Sequence, residues 1–168
     1  TGNGQDIATV IVPERRSARP VESRMPTGPQ VKQTEDGANM LRVYASLMAT
    51  PHDEELLEWH ATGQLAVIDV DSRRVTEIGE PAMITSLDFS PAGEYARIEI
   101  MQKPFSYIVP VQSFGSVEEV WDRAGNAMTV VDRTETQTGL DGNLPTAPGV
   151  GGEGEEPDRR QLAWREDG

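Results

Sequence analysis

Between residues 84 and 101 the chain alternates. Leu87 and Phe89 fall on one side of an extended backbone, with Ser86, Asp88 and Ser90 on the other. Beyond Ser90-Pro91-Ala92-Gly93, Ala96, Ile98 and Ile100 alternate with Tyr95, Arg97, Glu99 and Met101. A period of two on both sides of a Pro/Gly turn predicts two antiparallel strands. Pro91 fixes φ near the value a turn requires at its second position, and Gly93 supplies a backbone free to take positive φ.

The same period recurs elsewhere. Residues 6–12 (DIATVIV) are apolar and β-branched, which predicts a strand that Pro13 ends. Residues 64–70 and 74–78 predict a hairpin across Asp71-Ser72-Arg73, and 118–122 with 127–132 predict another across Ala124-Gly125-Asn126. Only residues 38–62 read differently, with Leu41, Val43, Tyr44, Leu47 and Met48 at helical or mixed spacing. Thr50-Pro51-His52-Asp53 then starts a helix: Thr50 is the N-cap, Pro51 takes the first helical position, and Asp53 stands where a capping box places its acid. Glu54 and Glu55 sit where the helix dipole favours negative charge. Leu56, Leu57, Trp59 and Ala61 are the expected buried face, and Gly63 the stop.

Two of these patterns repeat. Leu162-Ala163-Trp164-Arg165-Glu166-Asp167-Gly168 has the order of Leu87 to Gly93, and residues 65–79 match 117–131 as strand, polar turn, strand. The first pair is further apart, by the length of a Gly/Pro/acid-rich stretch after Val131, as if a loop had been inserted into one copy. Self-similar units of about 40 to 50 residues, each with four short strands, characterise β-propeller blades. The expected fold is therefore mainly β: a partial β-propeller with one complete four-stranded antiparallel blade, parts of its neighbours and a short helical insertion. Along the chain this gives a strand of a preceding blade (1–12), a Pro/Arg-rich connector (13–37), the helical insertion (38–62), propeller blades (63–131), an acidic Gly/Pro-rich loop (132–161) and the first strand of the next blade (162–168).

Composition narrows the rest. The chain has 168 residues, 36% of them hydrophobic and 5% aromatic, with 16 Gly and 12 Pro, so the core must be concentrated, here between Met40 and Val131. A formal charge of −13 argues against nonspecific nucleic-acid binding, which needs a basic footprint to displace phosphate counterions. No run of residues is apolar enough to predict a membrane span. With no Cys, disulfides and thiolate chemistry are excluded and the compartment stays open. The first residues do not read as a signal peptide and include no initiating Met, so a fragment or a processed piece is expected.

The candidate chemistry is sparse. His52 and His60 lie on an acidic helix without metal-ligand spacing, and are read as solvated surface residues rather than as bases or ligands. Arg15, Arg16, Arg19, Arg24 and Lys32 form a basic cluster that could dock an acidic partner or substrate. The plainer reading is a solvated connector. Pro104 and Pro110 cannot donate to a central ladder, so residues 103–110 are expected to leave the sheet. Phe105, Tyr107 and Ile108 make that stretch too apolar for an idle loop; it covers a core or faces a partner domain. Residues 132–158 hold seven acids against Arg133 alone, and Asp141-Gly142-Asn143 is only a scrap of a calcium loop, so a solvated loop is expected.

Pro13-Glu14-Arg15, Asp53-Glu54-Glu55-Leu56, Ala61-Thr62-Gly63-Gln64-Leu65, Lys103-Pro104-Phe105-Ser106-Tyr107-Ile108-Val109-Pro110 and Val120-Trp121-Asp122 follow one another in an order that resembles the propeller region of glutamyl endopeptidases of the prolyl oligopeptidase family. Ala92 departs from it, standing where the family's turn usually has aspartate, and so does the acidic stretch 139–158. The resemblance implies a serine peptidase with an N-terminal propeller and a C-terminal α/β-hydrolase domain, the propeller limiting which peptide substrates reach a Ser-Asp-His triad. Its partners would be that hydrolase domain and peptides, with no cofactor. The nucleophile elbow G-x-S-x-G is absent from the chain; Gly115-Ser116 comes nearest, without the flanking glycine. No catalytic, cofactor-binding or metal-binding residue is therefore assigned. The alternative function is a noncatalytic propeller that scaffolds protein contacts.

Overall fold

The computed structural model describes residues 4–22, 48–137 and 163–165. The described residues are mainly β: two antiparallel sheets and one short helix, with no closed barrel among them. Strands β1 (Asp6–Ile11), β2 (Gly63–Asp69) and β3 (Val75–Ala82) form the first sheet. Strands β4 (Ile84–Phe89), β5 (Tyr95–Met101), β6 (Ser116–Asp122) and β7 (Ala127–Thr134) form the second, in sequence order. The strands expected between residues 6 and 132 are present, whereas the one expected at 162–168 is not seen in its described residues. β3 runs on through Pro81 to Ala82, and β7 continues past Asp132 to Thr134. Ala163, Trp164 and Arg165 are in no strand, and the rest of residues 162–168 lies outside the described residues.

Register explains why alternation was a sound guide. Phe89 is opposite Ala96 and Leu87 opposite Ile98, so each apolar set meets its counterpart on one face. That face packs against the first sheet. Leu65, Val67 and Ile78 join Ala96, Ile98, Ile100, Val117 and Trp121 in one core. Gln64 is buried in the first sheet, and its Nε2 donates to the carbonyls of Ile78 (2.8 Å) and Gly79 (3.1 Å), leaving no stranded donor behind the core.

The β2–β3 and β6–β7 turns are built alike. Asp69 accepts from the backbone and hydroxyl of Ser72, and Asp122 from the backbone N–H groups of Ala124 and Asn126 and from the Asn126 amide. Each turn also has one residue at positive φ, Arg73 at 60° and Gly125 at 86°. The Ser72 hydroxyl and backbone hold the Asp69 carboxyl below its usual range, and Asn126 does the same for Asp122. Counted from these aspartates the second turn is one residue shorter, so Leu65 takes the place of Glu118 and not of Val117. Leu65 faces the second sheet, whereas Glu118, between Val117 and Glu119, faces away from the first. The sheets are thus stacked in the same sense.

Helix α1 (Pro51–Ala61) starts as its sequence predicts. The Thr50 hydroxyl accepts from the Asp53 N–H at 3.2 Å, and the Asp53 carboxylate accepts from the Thr50 N–H at 2.9 Å, a complete capping box. Hydrogen bonds from Ala49 and Thr50 keep the Asp53 carboxyl below its usual range. Thr50→Ala is expected to cost about 1 kcal/mol, measured by denaturant unfolding. The helix ends at Ala61, with Thr62 as C-cap and Gly63 already in β2. Its expected buried face needs correction: no residue of the helix is fully buried. Leu57 instead leans on a second, smaller core made by Met101, Phe105, Val109 and Phe114.

That second core answers the question left by residues 103–110. They leave the sheet after β5 through a cis Lys103-Pro104 bond, and Phe105, Ser106 and Val109 turn inward. Phe105 and Phe114 stack with centroids 5.4 Å apart. The segment therefore covers a core of its own chain. It also carries the helix, since Lys103 pairs with Glu58 at 2.5 Å and Tyr107 bonds Glu54.

Candidate functional site

Among the described residues no three His, Cys, Asp or Glu side chains are grouped to hold a metal ion. His52 is half-buried and not the solvated residue expected, with its Nδ1 3.8 Å from Glu55, one turn along the same helix. His60 is exposed, and its ring meets the Trp59 ring edge-on at 4.7 Å. Ser116, the nearest sequence match to a nucleophile, spends its hydroxyl on Glu99 at 2.9 Å. The partner of this hydroxyl is a carboxylate, not the histidine of a Ser-His pair. Ser116 and Glu99 line a cavity of about 300 Å³ with Thr85, Ser113 and Thr134.

Residues 13–22 of the basic connector pack on the helix. The Arg16 guanidinium stacks over the Trp59 ring, 3.5 Å from its centroid, and donates to the Trp59 carbonyl. Trp59 Nε1 returns a bond to the Ser17 carbonyl at 2.9 Å. Arg16 is thus spent on fastening the connector to α1. Arg15 and Arg19 stay exposed, while Arg24 and Lys32 lie outside the described residues. Between connector and helix a groove of about 380 Å³ is lined by Pro13, Arg15, Pro20, Glu55, Trp59 and Pro81. It brings both charge signs together around Trp59. Sequence reasoning counted the arginines but missed the Arg16–Trp59 pair. The signal available was an Arg and a Trp in the same chain, and nothing local fixes such a pairing.

The surroundings of Tyr107 are also specific. Burial first, then the hydrogen bond to Glu54 and the charges of Glu54 and Asp53, push the phenol above its usual range, so it stays neutral. It joins loop to helix and is no acid or base at neutral pH.

Comparison with known proteins gives two relatives. The chain is 30% identical over 166 residues to the probable chloroplastic glutamyl endopeptidase of Oryza sativa subsp. japonica, which is 98% of this chain and 17% of that protein. It is 32% identical over 124 residues to the probable chloroplastic glutamyl endopeptidase of Arabidopsis thaliana, 71% of this chain and 13% of that one. The chain therefore spans less than a fifth of the length of these relatives. No family model matches it, and no solved structure does.

Proposed function

Because the chain is related to the glutamyl endopeptidases, we propose that it is the noncatalytic β-propeller portion of a serine-type peptidase of the prolyl oligopeptidase family. In this reading the two sheets are neighbouring blades. The observation that carries it is the similarity along nearly the whole chain. The same-sense stacking of two antiparallel meanders supports it, because stacked blades each present one face forward and the opposite face back. The portion covers an α/β-hydrolase active site and gates peptide access to it. The chemistry is assigned to residues of the parent polypeptide outside these 168, because the chain carries no G-x-S-x-G elbow and Ser116 is bonded to Glu99.

A serine-directed phosphonate probe separates this reading from a complete enzyme. Labelling of the parent polypeptide, followed by peptide mapping, is expected to place the adduct beyond Gly168. The isolated 168 residues should neither be labelled nor cleave a glutamate-containing peptide. An adduct on any serine of residues 1–168 overturns the proposal.

A further inference from the structure

On the outer face of the second sheet one carboxylate stands among like charges. Glu99 lies between Ile98 and Ile100, both in the core, so its side chain points away from the first sheet. It is opposite Glu118, which in turn is opposite Asp132. Facing charges of one sign repel. Arg97, on the same face, pairs with Asp88 and Glu118 at 3.2 Å each. No ion pair among the described residues includes Glu99.

Glu99 lines the 300 Å³ cavity, and the hydroxyls that share the wall offer it no further proton. Ser116, at the start of β6, gives its own to Glu99 Oε1 at 2.9 Å. Thr85, in β4, gives its own to the Glu99 carbonyl at 3.2 Å. Both hydroxyl oxygens are then left with lone pairs only. Glu99 Oε2 has no hydrogen bond among the described residues. A 3₁₀ turn, Val111–Ser113, contributes the remaining group. Its Ser113 N–H donates to the Pro110 carbonyl and its Ser113 carbonyl accepts from the Gln137 N–H, at 2.9 Å each, which fixes the residue from both sides. Ser113 is only 9% exposed and lines the cavity, yet among the described residues its hydroxyl has no partner. A buried hydroxyl left unpaired is unfavourable, and a bound donor or acceptor relieves it.

We infer that this cavity is a binding site for a primary ammonium group. An ammonium brings the positive charge that Glu99 lacks, and its three N–H donors suit a carboxylate oxygen and hydroxyl lone pairs. A guanidinium suits the site less, because its planar fork engages both carboxylate oxygens and Ser116 already holds one. A divalent metal ion wants several oxygen ligands with more than one carboxylate among them, and the wall supplies Glu99 alone. Met101 and Phe114, both buried, line the same cavity and suit the carbon chain that carries the nitrogen. At about 300 Å³ the cavity is at the small end for ligands, the size of a short free amine or of one lysine side chain from a peptide. The assignment holds whether or not the parent polypeptide is a peptidase.

Titration of the 168-residue chain with butylammonium chloride, followed by amide NMR shifts, tests it. The shifts are expected to saturate in the millimolar range and to centre on Glu99, Ser113, Gly115 and Ser116. Glu99→Gln keeps an acceptor for Ser116 but removes the charge, and should weaken binding at least about tenfold. Ser113→Ala should weaken it about threefold. Butylguanidinium, with the same charge and chain, should bind at least about tenfold more weakly than butylammonium, and neutral butanol should not bind. Should Glu99→Gln disturb the fold, Ser113→Ala and the guanidinium comparison carry the test, because neither touches the ladder. Lysine capped at its α-amino and carboxyl groups separates the two sources. If it binds as tightly as butylammonium, the site takes a lysine side chain; if only butylammonium binds, it takes small free amines. Shifts that fail to saturate by about 100 mM, that centre on Glu54 and Glu58 of α1, or that are unaffected by Glu99→Gln overturn the inference, as does equal binding of butylguanidinium.

Discussion

Gly125→Ala is expected to destabilise the protein by about 4 kcal/mol or more, at the high end for a single substitution. A Cβ at this position would lie 2.1 Å from the Gly79 nitrogen and 2.3 Å from its Cα. Those atoms are backbone, held in β3 between Ile78 and Glu80, and cannot rotate aside. Gly125 also takes φ of 86°, where a side chain is strained whatever the space. Gly4→Ala separates the two contributions: its φ is 67°, but nothing lies within 4 Å of the added carbon. That variant should lose only about 1 kcal/mol. Chemical denaturation of both checks the prediction, and equal losses would show that the β6–β7 turn does not bear on β3. The turn does more than reverse direction, since it seats one sheet on the other.

Leu65→Ala and Ile98→Ala are each expected to cost about 3 kcal/mol, and to lower the melting temperature by roughly 10 °C. Both side chains are 0% exposed and they belong to different sheets, so each deletion opens a void in the shared core. Because they sit in one cluster, the double variant should depart from additivity. Val130→Ala on β7 is the comparison, with its side chain 50% exposed and a loss expected below about 0.5 kcal/mol. If Val130→Ala cost as much as Leu65→Ala, the core would have to lie elsewhere.

Much of the fold was legible because its signals are local. Alternation in residues 84–101 fixes a strand face within a few residues, and Thr50-Pro51-His52-Asp53 states a helix start in four letters. What failed depended on distance. Leu56, Leu57, Trp59 and Ala61 look like a buried stripe, but the surface offered to the helix is narrow: a loop, a second core that meets Leu57, and the connector that takes Trp59. Tertiary contact decided that, and helical spacing is silent on it. The 65–79 repeat was visible, yet matching like residues set Leu65 against Val117. The turns align it with Glu118 instead, because stacked sheets require opposite faces to be apolar. Of the candidate site, the charges were legible and their use was not. Arg16 is drawn to Trp59 across more than forty positions of chain, a pairing that only the folded connector creates.

Ile11 stands opposite Gln64, so the excursion from residue 12 to residue 62 departs and returns at adjacent points of a single ladder. Closing a longer or shorter detour across a fixed gap changes the entropy only logarithmically with length. Lineages sharing these sheets are free to expand, trim or exchange whatever hangs from that junction, and size variation among homologues should gather there while the ladder beneath keeps its register.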